Sequence, residues 1–223
     1  MMRLSDTDHA RVAGAVARAE ANTAGEIVTV LARRSDAYHD AALQWSVLAM
    51  LLMLALLASV PGMAEAVHAT FEPWDEAPSP RTLMLIALVL ATLTFLGARL
   101  LLAWRPLRLA LTPGRTKTRR VHRQALALFR AGAEKRTTGR TGVLLYVSAE
   151  EHRAEIIADA AIHDHVSPEC WGEALAPLLA EMRAGRPADG IVAAVERVGT
   201  ILAERIPSKE NDVNELPDRL IEL

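Results

Sequence analysis

From Ala41 to Val60 the chain reads AALQWSVLAMLLMLALLASV, a run without a charged side chain. At about 1.5 Å of rise per residue, about 20 such residues cover the ~30 Å hydrocarbon core of a bilayer as a helix. A second apolar run, Leu83 to Trp104, carries only Arg99, near one end, where a long side chain reaches the headgroups. The hydrophobic excess of the chain, 51% of its residues, is concentrated in these runs rather than spread. The rest of the sequence must therefore fold around two spanning helices. Trp45 and Trp104 stand near the ends that share one side, at the depth where indole rings prefer to sit.

Charge along the chain orients this hairpin. The connecting segment GMAEAVHATFEPWDEAPSP contains Glu65, Glu72, Asp75 and Glu76, and no Lys or Arg occurs in it before Arg81. On the outer flanks, Arg33 and Arg34 precede the first run, and Arg105, Arg108, Arg115, Lys117, Arg119, Arg120 and Arg123 follow the second. The positive-inside rule then puts both termini in the cytoplasm and the acidic loop outside, as in a multi-pass protein of a bacterial inner membrane. The basic residues after Trp104 also suit anionic lipid headgroups, at about 1 kcal/mol each near the surface. They lack interleaved aromatics, so no nucleic-acid partner is expected. Met1 to Ala21 carries Asp6, Asp8 and Glu20 and has no apolar h-region, so export of the N-terminus is not expected. The single cysteine, Cys170, excludes an intramolecular disulfide and fits a reducing compartment.

With 223 residues there is room for one ordinary domain plus a small membrane unit. Ser5, with Asp8 three residues on, opens a helix to Ala21 whose Val12, Val16 and Ala19 share a face. Glu26 to Leu31 is short and rich in β-branched residues, hence a strand. One strand cannot stand alone, so its partners must come from beyond the hairpin. Gly142 to Ser148, apolar nearly throughout, reads as a central strand, and Arg153 to Asp159 as a third, joined by the short link Ala149 to His152. Arg115 to Arg136 reads as a basic helix packing on that sheet through Val121, Ala125, Leu128 and Phe129 or Gly132. Ser167-Pro168 opens a helix to about Gly185, and Pro187 opens another to Arg205. Their core stripes are Trp171, Leu175, Leu178, Leu179 and Met182, then Ile191, Val195, Val198 and Leu202. The expected fold is α/β, a small central sheet flanked by helices and interrupted by a two-helix transmembrane hairpin. Residues 1–38 and 106–223 form the two parts of the domain, 39–62 and 81–105 the spans, and 63–80 the external loop.

Several short motifs fall in a specific order. They are Glu20, Thr23 and Gly25-Glu26-Ile27 at a helix-to-strand junction, TTGRTGVLLYVS from Thr137 to Ser148, Ile156-Ile157-Ala158-Asp159, Trp171, and Asn214-Glu215-Leu216-Pro217-Asp218. In this order they resemble the TPM domain family, in its short bacterial form with two spans inserted in the domain. The resemblance covers roughly residues 5–35 and 110–220. It implies an α/β sandwich and, in some members, photosystem repair, an acid phosphatase activity and divalent-cation binding. Arg140-Thr141 stand where long-form members carry an Asp-Asn pair, and such members usually display the domain on the outer side of a membrane.

A metal or phosphoryl-transfer site needs carboxylates or imidazoles converging at strand ends. Glu26 begins one strand, Asp159 ends another and His163-Asp164-His165 follows, so Glu26, Asp159 and His163 are the candidate ligands for a divalent cation. The competing reading makes Glu26 and Asp159 capping or ion-pairing groups and leaves the histidines solvated. Cys170 lies in the first turn of a helix beside Trp171, where packing explains it better than reactivity. No Walker or dinucleotide glycine loop is present. The expected role is a non-enzymatic scaffold or quality-control factor whose cytoplasmic domain binds another membrane protein, with a weak divalent-metal-dependent phosphatase as the alternative.

Overall fold

The computed structural model describes residues 4–74, 77–132, 141–163, 165–208 and 219–223. In chain order the elements are α1 (Asp6–Glu20), β1 (Glu26–Ala32), α2 (His39–Ser59), α3 (Met63–Phe71), α4 (Pro80–Leu101), α5 (Arg105–Leu111) and α6 (Gly114–Gly132). There follow β2 (Gly142–Ser148), β3 (Arg153–Ala158), α7 (Ala160–His163), α8 (Pro168–Arg183), α9 (Pro187–Arg205) and β4 (Ile221–Glu222). They form two units: an α/β unit of Met1–Asp36 with Gly114–Leu223, and a helical unit of Ala37–Pro113.

The α/β unit is built on a four-stranded mixed sheet of order β3-β2-β1-β4. β1 and β2 pair in parallel from Glu26↔Gly142 to Ala32↔Ser148, so the segments before and after the helical unit share one sheet. β3 runs antiparallel to β2, and β4 extends β1 in parallel at Val30 and Leu31. Side chains alternate across the pleat. Ile27, Leu31, Val143, Leu145 and Val147 point to one face, where they are buried with Val12 and Val16 of α1, Leu178 of α8 and Ile191, Val195, Val198 and Leu202 of α9. Val30, Ala32, Leu144 and Tyr146 point to the other and pack on Val121, Ala125 and Phe129 of α6. Helices on both faces explain why β2 is apolar throughout and buried at every position.

The helix-to-strand junction shows why its residues occur in that order. Glu20 Oε1 accepts the Ile27 N–H at 2.6 Å, and Thr23 Oγ1 donates to the Ile206 carbonyl at 2.6 Å while accepting the Gly25 N–H at 3.1 Å. A Cβ on Gly25 would meet Leu202 Cδ1 at 3.0 Å. These side chains lock α1, β1 and the end of α9 together.

In the helical unit, α2 and α4 pack against each other and α3 packs on α4. Both are long and apolar enough to cross a membrane, and only 17% and 6% of their apolar windows are buried. Every hydroxyl on them is satisfied locally: Ser46, Ser59, Thr92 and Thr94 donate to the carbonyls of Ala42, Ala55, Leu88 and Leu90, and Thr82 pairs with Ser79. Such back-bonding leaves no bare donor on an apolar helix.

Several elements differ from the sequence reading. The second apolar helix, expected over 81–105, ends at Leu101, because Pro106 has no N–H to continue it and Arg105 opens the separate α5. The segment 63–80, read as a loop, contains α3, whose Met-Ala-Glu-Ala start has strong helix propensity. β4 and α7 are too short for a periodic signal. The end of the basic helix expected to reach Arg136 lies outside the described residues, as do Asp75, Glu76, Thr137–Arg140, Asp164 and the Asn214–Asp218 motif.

Among the described glycines, the tightest surroundings are at Gly199, where α1 meets α9: a Cβ there would lie 2.5 Å from Ala19 Cβ and 2.9 Å from its Cα. In an exposed helix, Gly→Ala gains about 1 kcal/mol, but overpacking costs about 1–3 kcal/mol. Gly199→Ala is therefore expected to lower stability, read by thermal unfolding of the detergent-solubilised chain with circular dichroism. A stabilised variant would show that the helices separate freely.

Candidate functional site

The sheet has two ends, and polar groups collect at both. At the end where β1 and β2 begin, Gly142 opens β2 opposite Glu26. Gly142 N–H donates to Asp159 Oδ2 at 3.0 Å, and the Asp159 N–H returns a bond to the Gly142 carbonyl at 3.0 Å. The Asp159 carboxylate thus closes the β2–β3 edge, and its carbonyl receives the Ile162 and His163 N–H groups that start α7. Glu26 is buried, whereas His163 is exposed at the last position of α7. Glu26 and Asp159 are brought to one edge, but His163 does not complete a ligand set with them. Among the described residues no three His, Cys, Asp or Glu side chains gather where they would hold a metal ion. Cys170 packs against the core, 3.5 Å from Ser167 Oγ.

The opposite end, where the parallel strands β1 and β2 finish, carries a denser network. Such carboxyl ends are where open α/β sheets usually take their ligands. Glu151, buried in the β2–β3 turn, accepts the Ser35 N–H on Oε1 at 2.9 Å and the Ser148 hydroxyl on Oε2. Ser35 Oγ lies 3.0 Å from the Tyr146 hydroxyl. Burial pushes the Tyr146 phenol above its usual range, opposed by the Ser35 hydrogen bond and assisted by Glu151. Beside it Asp36 pairs with Arg120 and lies 3.6 Å from Arg123. Arg33 and Glu150 form an ion pair of 2.7 Å at the rim of a cavity of about 370 Å³, floored by Leu31, Ala149 and Met182 and edged by His152. His152 sits at φ 50° in the turn.

No protein-family model and no curated protein matches this chain. Among solved structures, its fold is similar to that of the BA42 protein from the psychrophilic bacterium Bizionia argentinensis, determined by NMR. That alignment has a TM-score of 0.57 and 18% identity, and it covers 100% of this chain and 97% of the other. At this identity the likeness speaks to fold alone.

The basic run divides by environment. Arg115, Arg119 and Arg123 are exposed along α6, as a spacing of four residues on a helix requires. Arg120 turns inward to Asp36, and Arg105 and Arg108 belong to α5 in the helical unit. Arg108 is not a free surface charge: it is buried, 3.4 Å from His39 Nδ1. Lys117 is half-buried, and burial, then the nearby Arg153 charge, hold its ammonium below the usual range, with Glu151 opposing. Ser35, Tyr146, Glu151 and Arg153 were not legible as site residues. They sit in strands and a link whose polar character carries no spacing signal, and the parallel pairing of β1 with β2 is what gathers them.

Glu151→Ala leaves the Ser35 N–H and Ser148 hydroxyl without their acceptor and is expected to cost about 2–4 kcal/mol. Glu150→Ala removes only a solvent-facing ion pair and is expected to cost less than about 1 kcal/mol. Chemical denaturation of the full chain checks both, and equal losses would show that the Glu151 network holds nothing in place.

Proposed function

We propose that this chain is a two-pass inner-membrane protein whose TPM-like α/β domain lies in the cytoplasm and serves as a scaffold or assembly factor for another membrane protein. The observation that carries this reading is the apolar surface left in the open. Among the described residues, every exposed large hydrophobic side chain except Leu223 lies between Leu43 and Leu111. A soluble protein would bury so continuous a surface.

The connectivity supports two crossings. The insert leaves the α/β unit at Asp36 and re-enters it at Gly114, so an even number of spans is required if that unit lies on one side of a bilayer. Two apolar helices meet the requirement. Basic side chains flank the insert at both of its ends, which favours the cytoplasm for the domain. At the far end, Phe71 and Trp74 are 81% and 97% exposed, suited to the opposite headgroup layer, while Trp45 and Trp104 suit the near one.

A binding role is favoured because Asp159 at one end of the sheet, and Glu151, Asp36 and Arg33 at the other, are engaged by backbone amides or by other side chains. No specific observation favours the phosphatase alternative. On the spans, Ala55, Ala58 and Gly97 are exposed, and nothing lies within 4 Å of a Cβ built on Gly97. Small outward residues allow a partner helix to approach closely.

Alkaline phosphatase inserted after Thr70 is expected to be active, and the same reporter joined after Leu223 inactive. An active C-terminal fusion would overturn the orientation. For the scaffold role, a photocrosslinker at Gly97 in intact cells is expected to yield a discrete adduct with a different membrane protein. Adducts with lipid alone would count against a partner.

A further inference from the structure

Leu31 and Arg33, at and just past the end of β1, and Ala149, just past β2, continue by twos the residues that face α8 and α9. Met182, in the last turn of α8, meets them, and there the core opens into the cavity of about 370 Å³. Its floor is therefore apolar. Glu222, opposite Leu31 in the β4 register, stands with Arg33, Glu150 and His152 at the rim. All of these residues belong to the α/β unit. The backbone beneath them is already committed: Arg33 N–H donates to the Leu223 carbonyl at 2.8 Å, Leu223 N–H to Leu31 at 3.0 Å and Glu150 N–H to Arg33 at 2.9 Å. The ladder thus holds the cavity in shape before anything enters it.

Each rim group keeps polar capacity that no side chain or amide among the described residues uses. Arg33 donates from Nε to Glu150 Oε1 at 2.7 Å, which leaves its two Nη groups and Glu150 Oε2. Glu222 Oε1 takes His9 Nε2 at 3.2 Å and the Leu4 N–H at 3.3 Å, which leaves Oε2. His152 is exposed, and its ring makes no hydrogen bond or ion pair among the described residues. It sits at φ 50°, a left-handed conformation that glycine enters without penalty, so the turn itself gives no reason for an imidazole there. The rim therefore carries both signs of charge. A purely anionic ligand would be opposed by Glu150 and Glu222, and a purely cationic one by Arg33. A ligand bearing both signs finds a partner for each.

We propose that this cavity binds a free α-amino acid with an apolar side chain. The carboxylate pairs with the Nη donors of Arg33 and with the His152 ring, and the ammonium with the open oxygens of Glu150 and Glu222. The side chain covers Leu31, Ala149 and Met182. An α-amino acid carries its opposite charges on one carbon, and the Arg33–Glu150 pair presents the complementary charges side by side. A volume of about 370 Å³ is at the small end of ligand cavities, which suits a ligand of this size better than a nucleotide. The site lies at the carboxyl end of parallel strands, where open α/β sheets usually take ligands, and it does not rest on the scaffold reading.

The test is equilibrium binding of tritiated L-leucine to the full-length protein in detergent micelles at neutral pH, followed by competition. One saturable site is expected, displaced by L-methionine. Glycine lacks the apolar group, isocaproate the ammonium and isoamylamine the carboxylate, so each should compete at least about tenfold less well than leucine. Arg33→Gln and Glu150→Gln should each weaken leucine binding at least about tenfold. Arg18→Gln removes a solvent-facing ion pair with Glu196 on the same unit and should change it less than about twofold. Thermal unfolding separates loss of the site from loss of the fold. Arg33→Gln and Glu150→Gln break only an exposed ion pair, so Tm without ligand should stay within about 5 °C of the parent, while the leucine-induced rise disappears. No saturable leucine binding, equal weakening by Arg18→Gln, or isocaproate or isoamylamine competing as well as leucine overturns the proposal.

Discussion

The parallel ladder between β1 and β2 is the interaction on which the rest of the α/β unit depends. It is the central pair of the sheet, it joins the segment before the insert to the segment after it, and both its faces are covered by helices. Without it, β1 would present unpaired backbone and Ile27, Val30 and Leu31 to water, and α1 would lose the surface that buries Val12 and Val16. Parallel pairing has a geometric demand of its own. The chain must travel from the end of one strand to the start of the next, and here that crossover contains the entire helical unit.

The ends of the crossover are correspondingly well anchored. Just past β1, the Ser35 amide and hydroxyl are held by Glu151 and Tyr146, and Asp36 is held by Arg120 of α6. Where the chain returns, Gly114 leaves room for Arg153 beside the first turn of α6. The polar groups at the carboxyl end of the sheet therefore fix where the insert departs and arrives. At the other end, the Asp159 carboxylate closes the β2–β3 edge.

Much of this architecture is legible in the sequence because it is periodic. The stripe Ile191, Val195, Val198 and Leu202 is fully buried, Ser5 and Asp8 form the capping box that their spacing suggests, and β2 is buried on both faces as its unbroken apolar run requires. Elements of a few residues, β4 and α7, carry no period, and α3 was hidden by the acidic residues around it. The candidate ligands illustrate a different limit. Glu26 and Asp159, read as beginning one strand and ending another, lie at one end of the sheet, and Asp159 starts the short helix α7 as its capping reading suggests, but His163 is exposed at the last position of that helix. Lys117 reads as one of the basic residues suited to headgroups and Arg153 as the start of a strand; their partial burial arises from α6 packing on β3 and not from their neighbours in the chain. The register Glu26↔Gly142 also makes sense of the junction residues before the insert, since Glu20, Thr23 and Gly25 deliver β1 to its place beside β2.

That register has a consequence for biogenesis. Ribosomes add about 5–20 residues per second, so β1 waits on the order of ten seconds for β2 to be synthesised. Throughout that interval α1 and β1 have been made but have no sheet to join, while two helices long and apolar enough to cross a membrane emerge from the ribosome. The nascent N-terminal segment thus depends on chaperones or on its own solubility, and the α/β unit matures only after translation has passed the insert. Order of synthesis, rather than final stability, is where such a split domain is most exposed to failure.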